Sequence, residues 1–306
     1  MNNITDELLK IISSVKDGTF KGAYNIREDG QCAGRRSSEN ISIEPKTDKP
    51  GIDIRIKPGT KGETVYIPAC VTHAGVDDLV YNDFWIGEGA DVIIEAGCGV
   101  HNDGDSEARH NGIHRFFLEK DAHIIYKEKH VAQGAGKGAK RIDPVTEATL
   151  ALGACLEMDT VQLGGVTTTT RKTAATLAED ARVVVRERIM TSGEEFARTE
   201  FTVYLNGAGS VADLISRSVA RGQSRQEFAS TMVGNAPCTG HSECDAILAE
   251  NGSVLAQPGL EANHVDAALI HEAAIGKIAG EQLLKLRTLG LTSQEAEERI
   301  IQGFLK

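Results

Sequence analysis

The sequence predicts a mainly β protein built as a β-solenoid, with a short helix before it and a helical segment after it. Between about residues 22 and 263, short β-rich runs alternate with Gly, Asn and Asp, and long amphipathic helical patterns are missing. Within that stretch one motif recurs: an aliphatic residue, a short turn, a small residue, a spacer, then Val or Ile. Its copies are spaced mostly near one or two units of about thirty residues, the period of stacked coils that bury a shared core.

The chain opens with Leu8, Ile11, Ile12 and Val15 at helical spacing, and Asp17-Gly18 marks the end of that helix, so residues 1–21 form a first segment. The solenoid is expected over residues 22–263. Its strand runs include Thr64–Ile67, Val92–Ile94, His123–Tyr126, Arg182–Val185 and Phe201–Leu205. The repeat reads Ile86–Val92, Leu118–Ile124, Leu177–Val183, Leu205–Val211 and Leu248–Val254. A set of unrelated hairpins also uses acidic-Gly and Asn-Gly turns, and the repeat alone leaves that alternative open. Residues 264–306 return to helical texture. Leu283, Leu284 and Leu286 precede a stop at Gly290, and Thr292-Ser293-Gln294-Glu295 is a capping box for a last helix carrying Ala296, Ile300 and Phe304.

The 306 residues carry 33 basic and 44 acidic side chains, a formal net charge of −11. That balance argues against non-specific binding to nucleic acid or an anionic membrane and favours a partner with a basic patch. No apolar run is long enough to span a membrane. The acidic opening Met1–Glu7 has no basic stretch followed by an apolar one, so a cytoplasmic location is expected. Six cysteines in a chain of this length do not form a disulfide framework pattern; in a reducing cytosol they are buried hydrophobes, ligands or nucleophiles.

Chemistry concentrates at Cys238-Thr239-Gly240-His241-Ser242-Glu243-Cys244-Asp245. Two thiols and an imidazole within seven residues suit a soft metal or an iron–sulfur cluster, and composition alone does not separate that from a turn with incidental cysteines. His264, His271 and Glu272 add ligands downstream. A second group, Cys98, His101, His110 and His114, superficially resembles a zinc site, but the intervening Asn102–Asp105 reads as a polar loop with solvated histidines. Gln133–Gly138 lacks the Walker spacing and its Ser or Thr, so a mobile basic surface loop is expected and no ATPase activity. His271-Glu272-Ala273-Ala274-Ile275 places Ile where a zinc protease has its second His, and no Gly-x-Ser-x-Gly elbow is present.

Several of these stretches resemble the SufB/SufD family, the scaffold proteins of SUF-type iron–sulfur cluster assembly. Cys244–Leu248 is similar to that family's Cys-Asp-Ser-hydrophobic-Leu segment, and His271-Glu272-Ala273 with Gly276–Ile278 and Glu281–Leu283 to its His-Glu-Ala segment. The ending Gly290–Phe304 is similar to its C-terminal signature. The resemblance is specific over about residues 240–306 and diffuse before that. It implies a right-handed parallel β-helix, a C-terminal helical region docking a SufC-type ABC ATPase, and dimerisation through the β-helix with itself or a SufD/SufB paralogue. It also implies a scaffold, not an enzyme, which takes sulfur from a donor such as a cysteine desulfurase system, takes iron, and builds a transient [2Fe–2S] or [4Fe–4S] cluster. Cys244 then corresponds to the essential thiol, and His271 and Glu272 to the neighbouring imidazole and carboxylate that hold iron or tune the thiol. Cys238 has no familiar counterpart, and a Cys238/Cys244 pair is expected to serve as cluster ligands within one subunit, with His241 a less favoured iron ligand. The family's internal sulfur-receiving cysteine falls near Ala151, with Cys155 a few residues on. The alternatives are a metal-free solenoid adaptor of an ABC ATPase and, less favoured, a β-helix hydrolase or lyase acting on polysaccharide.

Overall fold

In the computed structural model, which describes residues 1–15 and 18–306, the chain coils into a β-solenoid whose two walls are ten-stranded sheets. The strand runs expected from composition all lie in these walls. The Asp17 helix stop falls outside the described residues; the helix itself, α1, spans Asn3–Ile12 and is capped by the Asn2 side chain, which accepts from Thr5 N–H.

The repeat marks corners. Residues Ile86–Val92, Leu118–Ile124, Leu177–Val183 and Leu205–Val211 each carry the chain from the second sheet into the first, and Leu150–Leu156 is a further copy that the sequence motif passed over. At each corner a backbone N–H closes a turn onto the carbonyl three residues earlier, as Ala122 does to Glu119 and Ala154 to Ala151. The residue before it lies in the left-handed region, including the non-glycine Asp121 and Asp180. Leu248–Val254 is a corner too, but the opposite one, from first sheet to second, which is why its spacing departs from the period.

Strands of successive coils pair in parallel and in register, so residues at one coil position form a row along the axis. Inward positions alternate with outward ones, the two-residue period of a strand. Apolar rows fill the interior: Phe84 and Phe116 are register partners and fully buried, with rings stacked at 4.4 Å. The first four strands depart from the parallel pattern. Ala23–Glu28 with Gln31–Arg36, and Ile41–Pro45 with Gly51–Ile56, are antiparallel hairpins that close one end. Helix α1 lies on the outer face of strand Asp91–His101, where Gly97 and Gly99 permit contact; a Cβ at Gly97 would stand 2.7 Å from the Ile12 carbonyl oxygen.

Strand geometry continues beyond residue 263. Ala267–Gly276 forms the final strand, paired with Cys238–Leu248, and the helices begin later: α2 at Gly280–Thr288 and α3 at Ser293–Phe304. The apolar spacing Ala267, Leu269, His271 follows a two-residue period, which a sequence of helix-favouring alanines obscures. The capping box of α3 is formed, with Thr292 and Glu295 bonded reciprocally. Arg221 at a solenoid corner reaches Glu298 of α3 at 3.3 Å.

Removing one ring of the coil-to-coil stack leaves a cavity in a fully packed row. Phe116→Ala is expected to cost about 3–5 kcal/mol, read as a lowered denaturant midpoint; an unchanged midpoint would mean the row does not carry the core.

Candidate functional site

Strand alternation decides where each candidate side chain goes. On Cys238–Leu248, residues Cys238, Gly240, Ser242, Cys244 and Ala246 face inward, while His241, Glu243 and Asp245 face out. On the last strand Ser242 pairs with His271, Glu243 with Glu272 and Cys244 with Ala273. Cys244 and His271 therefore lie on the inner side near the open end of the solenoid, and Glu272, 68% exposed, lies outside. Cys238 is also buried, but six residues along an extended strand put it about 20 Å from Cys244. The expectation of one cluster held by both thiols within a subunit is corrected on that distance.

Cys244 is 1% exposed, and burial, then the Glu187 and Asp245 carboxylates, push its thiol up to about 12. It is the final member, before Ala273 of the last strand, of an inward row that runs Glu128, Thr160, Glu187, Ser216, Cys244 on successive coils. The row is polar and buried throughout. Arg171 enters from the opposite wall, donates to Glu128 and forms an ion pair with Glu187 at 3.4 Å. Thr199 and Ser216 hydroxyls donate to Glu187 at 3.1 and 2.9 Å. Burial opposes ionisation of Glu128, but the charges of His130 and Arg171 outweigh it and hold the carboxyl well below the usual range. Thr160 Oγ1 is buried with no protein partner, as is His271 Nδ1 at the end of the neighbouring row.

At the far end of this polar interior stands Cys98. The reading of Cys98, His101, His110 and His114 as a solvated loop cluster is corrected: Cys98, His110 and His114 are 5%, 2% and 5% exposed and point into the solenoid. Only His101 lies on the loop side, bonded to Asp103. The Cys98 thiol stands beside His110 and His130, and both imidazoles act on it. His110 Nδ1 meets Asp78 at 3.0 Å and His130 adjoins Glu128 at 3.4 Å, so each imidazole has a carboxylate behind it. Burial raises the thiol, yet the two imidazoles more than reverse this and bring it down to about 7; burial lowers both imidazoles, and the thiolate and carboxylates raise them. A chain of hydrogen bonds continues from Asn82 through His114 and Tyr126 to Glu128. Burial keeps His114 neutral, so its Nδ1–H donates to the tyrosine oxygen. Arg27 and Asn25 of the first hairpin line a small cleft with Cys98 and His110. The sequence signal for this group was the spacing of Cys98 and its histidines; what it lacked was the register, which pairs Cys98 with His130.

Cys155, by contrast, faces outward and is partly exposed, so it does not stand in for an interior thiol. The Gln133–Gly138 run is packed rather than mobile: a Cβ at Gly138 would stand 2.0 Å from the Ser106 carbonyl oxygen of the preceding coil.

Outside the open end, His241, Glu243 and Glu272 bring ligand atoms within 4.8 Å of one another. His241 Nδ1 is bonded to Asp213 at 2.9 Å, which leaves Nε2 directed toward Glu272 at 3.8 Å. A carboxylate behind an imidazole is the arrangement that orients histidine metal ligands. The Asp213 bond raises the His241 imidazole; burial, with His241 nearby, lowers His271. Among the described residues this triad and the group His123, Cys155 and Glu157 are where three such donors converge.

The activated thiol yields a titration test. A thiolate absorbance step centred near pH 7 is expected in the folded protein, growing as pH rises, because the imidazoles favour the anion. Cys98→Ser should abolish it and His110→Gln should move it upward; a step that survives Cys98→Ser would refute the assignment.

Comparison with known proteins places the chain in a family. Residues 84–304 match the family model described as SUF system FeS cluster assembly, SufBD core domain. An iron–sulfur cluster assembly SufBD family protein of Methanothermobacter thermautotrophicus is 29% identical over 83% of this chain and 62% of its own length. One from Archaeoglobus fulgidus is 30% identical over 84% of this chain and 68% of its length. A third, from Methanocaldococcus jannaschii, is 24% identical over 99% of both chains. The chain thus spans about three fifths of the first relative, 62% of its length, and nearly all of the third.

Proposed function

The chain belongs to the SufBD family of iron–sulfur cluster assembly proteins, and from that premise we propose that it is a scaffold on which sulfur and iron, as substrates, are joined into a cluster. The observation that carries this reading is the buried polar row between two thiols of opposite character. Cys98, with its lowered pKa, is the better nucleophile at neutral pH and takes sulfur from a donor such as a cysteine desulfurase system. The row of Glu128, Thr160, Glu187 and Ser216 then lines the way to Cys244, about 24 Å along the axis. Unpaired Thr160 Oγ1 is a free hydrogen-bond group on that path. Iron is held outside by Glu272 with His241 and Glu243, and His271 serves as the neutral imidazole on the inner side.

Cys244 is closed off by the last strand, so the two halves of the chemistry meet only when that strand shifts. Its outer residue Ile270 is exposed, as are Leu255 and Leu260 on the strand Ser253–Ala262, which supports burial of this end against a second SufBD-type subunit, itself or a paralogue. Helix α2 has no buried residue and exposes Leu284, with Leu289 exposed just beyond it, which supports docking of a SufC-type ABC ATPase there. Closure of the ATPase would pull on α2 and α3, which follow directly from the last strand. No helix of the described residues is long and apolar enough to cross a membrane.

Anaerobic reconstitution with ferrous iron and sulfide tests the reading. The wild-type protein should gain cluster absorbance and acid-labile sulfide, Cys244→Ala should lose most of both, and Glu272→Gln should lose iron first. Equal loading of Cys244→Ala would overturn the site, and a wild-type protein free of iron and sulfide would favour the metal-free adaptor.

A further inference from the structure

On the outer face of the first sheet, well away from the open end, Asp91, His123 and Cys155 stand in one register row on successive coils, and Glu157 follows two residues after Cys155 on the same side. We propose that His123, Cys155 and Glu157 form a binding site for a borderline divalent cation such as zinc, oriented by Asp91 and separate from the cluster site.

The three ligand atoms already lie within 4.8 Å of one another. His123 Nδ1 is 3.0 Å from Asp91, which fixes the ring and leaves Nε2 facing inward to the group, 3.3 Å from Glu157 Oε1. Placing Nε2 against a carboxylate needs a positive charge between them, supplied by a proton or by a metal ion. Imidazole, thiolate and carboxylate are the donors zinc takes, and three protein ligands leave the fourth position open to water or an incoming group. The His123 and Glu157 side chains are 33% and 38% exposed and Cys155 is partly exposed, so an ion reaches them without opening the fold. Burial and Glu157 raise the Cys155 thiol while Arg182 on the next coil opposes them, so binding displaces the thiol proton to solvent as the sulfur–metal bond forms. Arg186, 3.6 Å from Glu157, is the competitor that must yield.

This row is distinct from the His241 group. Three register steps separate Cys155 from Thr239, about 14 Å along the axis. The site therefore does not depend on the scaffold reading and stands if that reading fails.

Cobalt titration under reducing, anaerobic conditions tests it in the full-length chain. Wild type should show a sulfur-to-cobalt charge-transfer band with the strong d–d absorption of four-coordinate cobalt, bleached by zinc. Cys155→Ser and His123→Ala should each remove one equivalent of that signal, while Cys244→Ala keeps it. Asp91→Ala should keep the spectrum and weaken binding about 10–100-fold. In unmodified protein, zinc should protect Cys155 from alkylation, a readout that needs no variant. A cobalt spectrum unchanged by Cys155→Ser, or equal alkylation of Cys155 with and without zinc, would overturn the proposal.

Discussion

In-register parallel pairing of the coils is the constraint on which everything else rests. Each rung of the ladder sets a residue about 4.8 Å from its counterpart in the next coil. Contacts that are remote in sequence thereby become nearest neighbours at a fixed interval. His110 with Asp78, His114 with Asn82, and His123 with Asp91 are all 32 residues apart, and His241 with Asp213 is 28. A slip of one residue would invert every side chain, sending the thiols out and the surface carboxylates in. The corner turns of the repeat motif, with a left-handed residue at each, oppose that slip by fixing where the following strand begins.

The same regularity makes the interior chemistry conspicuous. A solenoid can fill its bore with apolar rows, and the Phe84–Phe116 stack does so in one part of it. The Glu128–Arg171–Glu187 group does not. Burying such charges carries a desolvation cost that replacement by apolar side chains would remove, often with no loss or a gain of stability. Stability therefore offers no reason for this row, nor for two carboxylate-backed imidazoles around one thiol. What the arrangement does offer is a lowered thiol at one end and a raised one at the other, joined by hydroxyl and carboxylate groups. That asymmetry is what the proposed scaffold reading rests on.

Much of this was legible in the sequence, and the gaps have physical causes. The solenoid and its helices follow from strand runs, the corner motif and the capping box, all local signals. Cys244, His271 and Glu272 drew attention as ligand residue types in short segments, and only the family resemblance gave them roles. Cys98 was misjudged because its surroundings come from residue 110 on the opposite wall and residue 130 one coil away, and the polar loop after it masked strands on both sides. Cys238 was overvalued for the converse reason. Closeness in sequence means closeness in space in a helix or turn, whereas a strand spreads six residues over about 20 Å. The Cys155 row was invisible for want of register, since its three members lie 32 residues apart.

Adjacent residues on a strand point to opposite faces, and this bears directly on how the site works. His271 and Glu272 cannot both touch one ion while the last strand stays flat against Cys238–Leu248. Cys244 and Glu272 are likewise divided by the sheet itself. For sulfur held inside to bond iron held outside, the barrier between them has to part, and the strand able to part is the one at the end of the ladder, which has a partner on one side only. It is also a strand with no buried residue, and its end leads straight into α2. An end strand of low local stability, coupled to helices with free apolar surface, is the kind of element whose equilibrium a docked partner can shift. On the proposed scaffold reading, separation of the two substrates in the closed form is a safeguard: sulfur and iron do not meet until a docked partner opens the way.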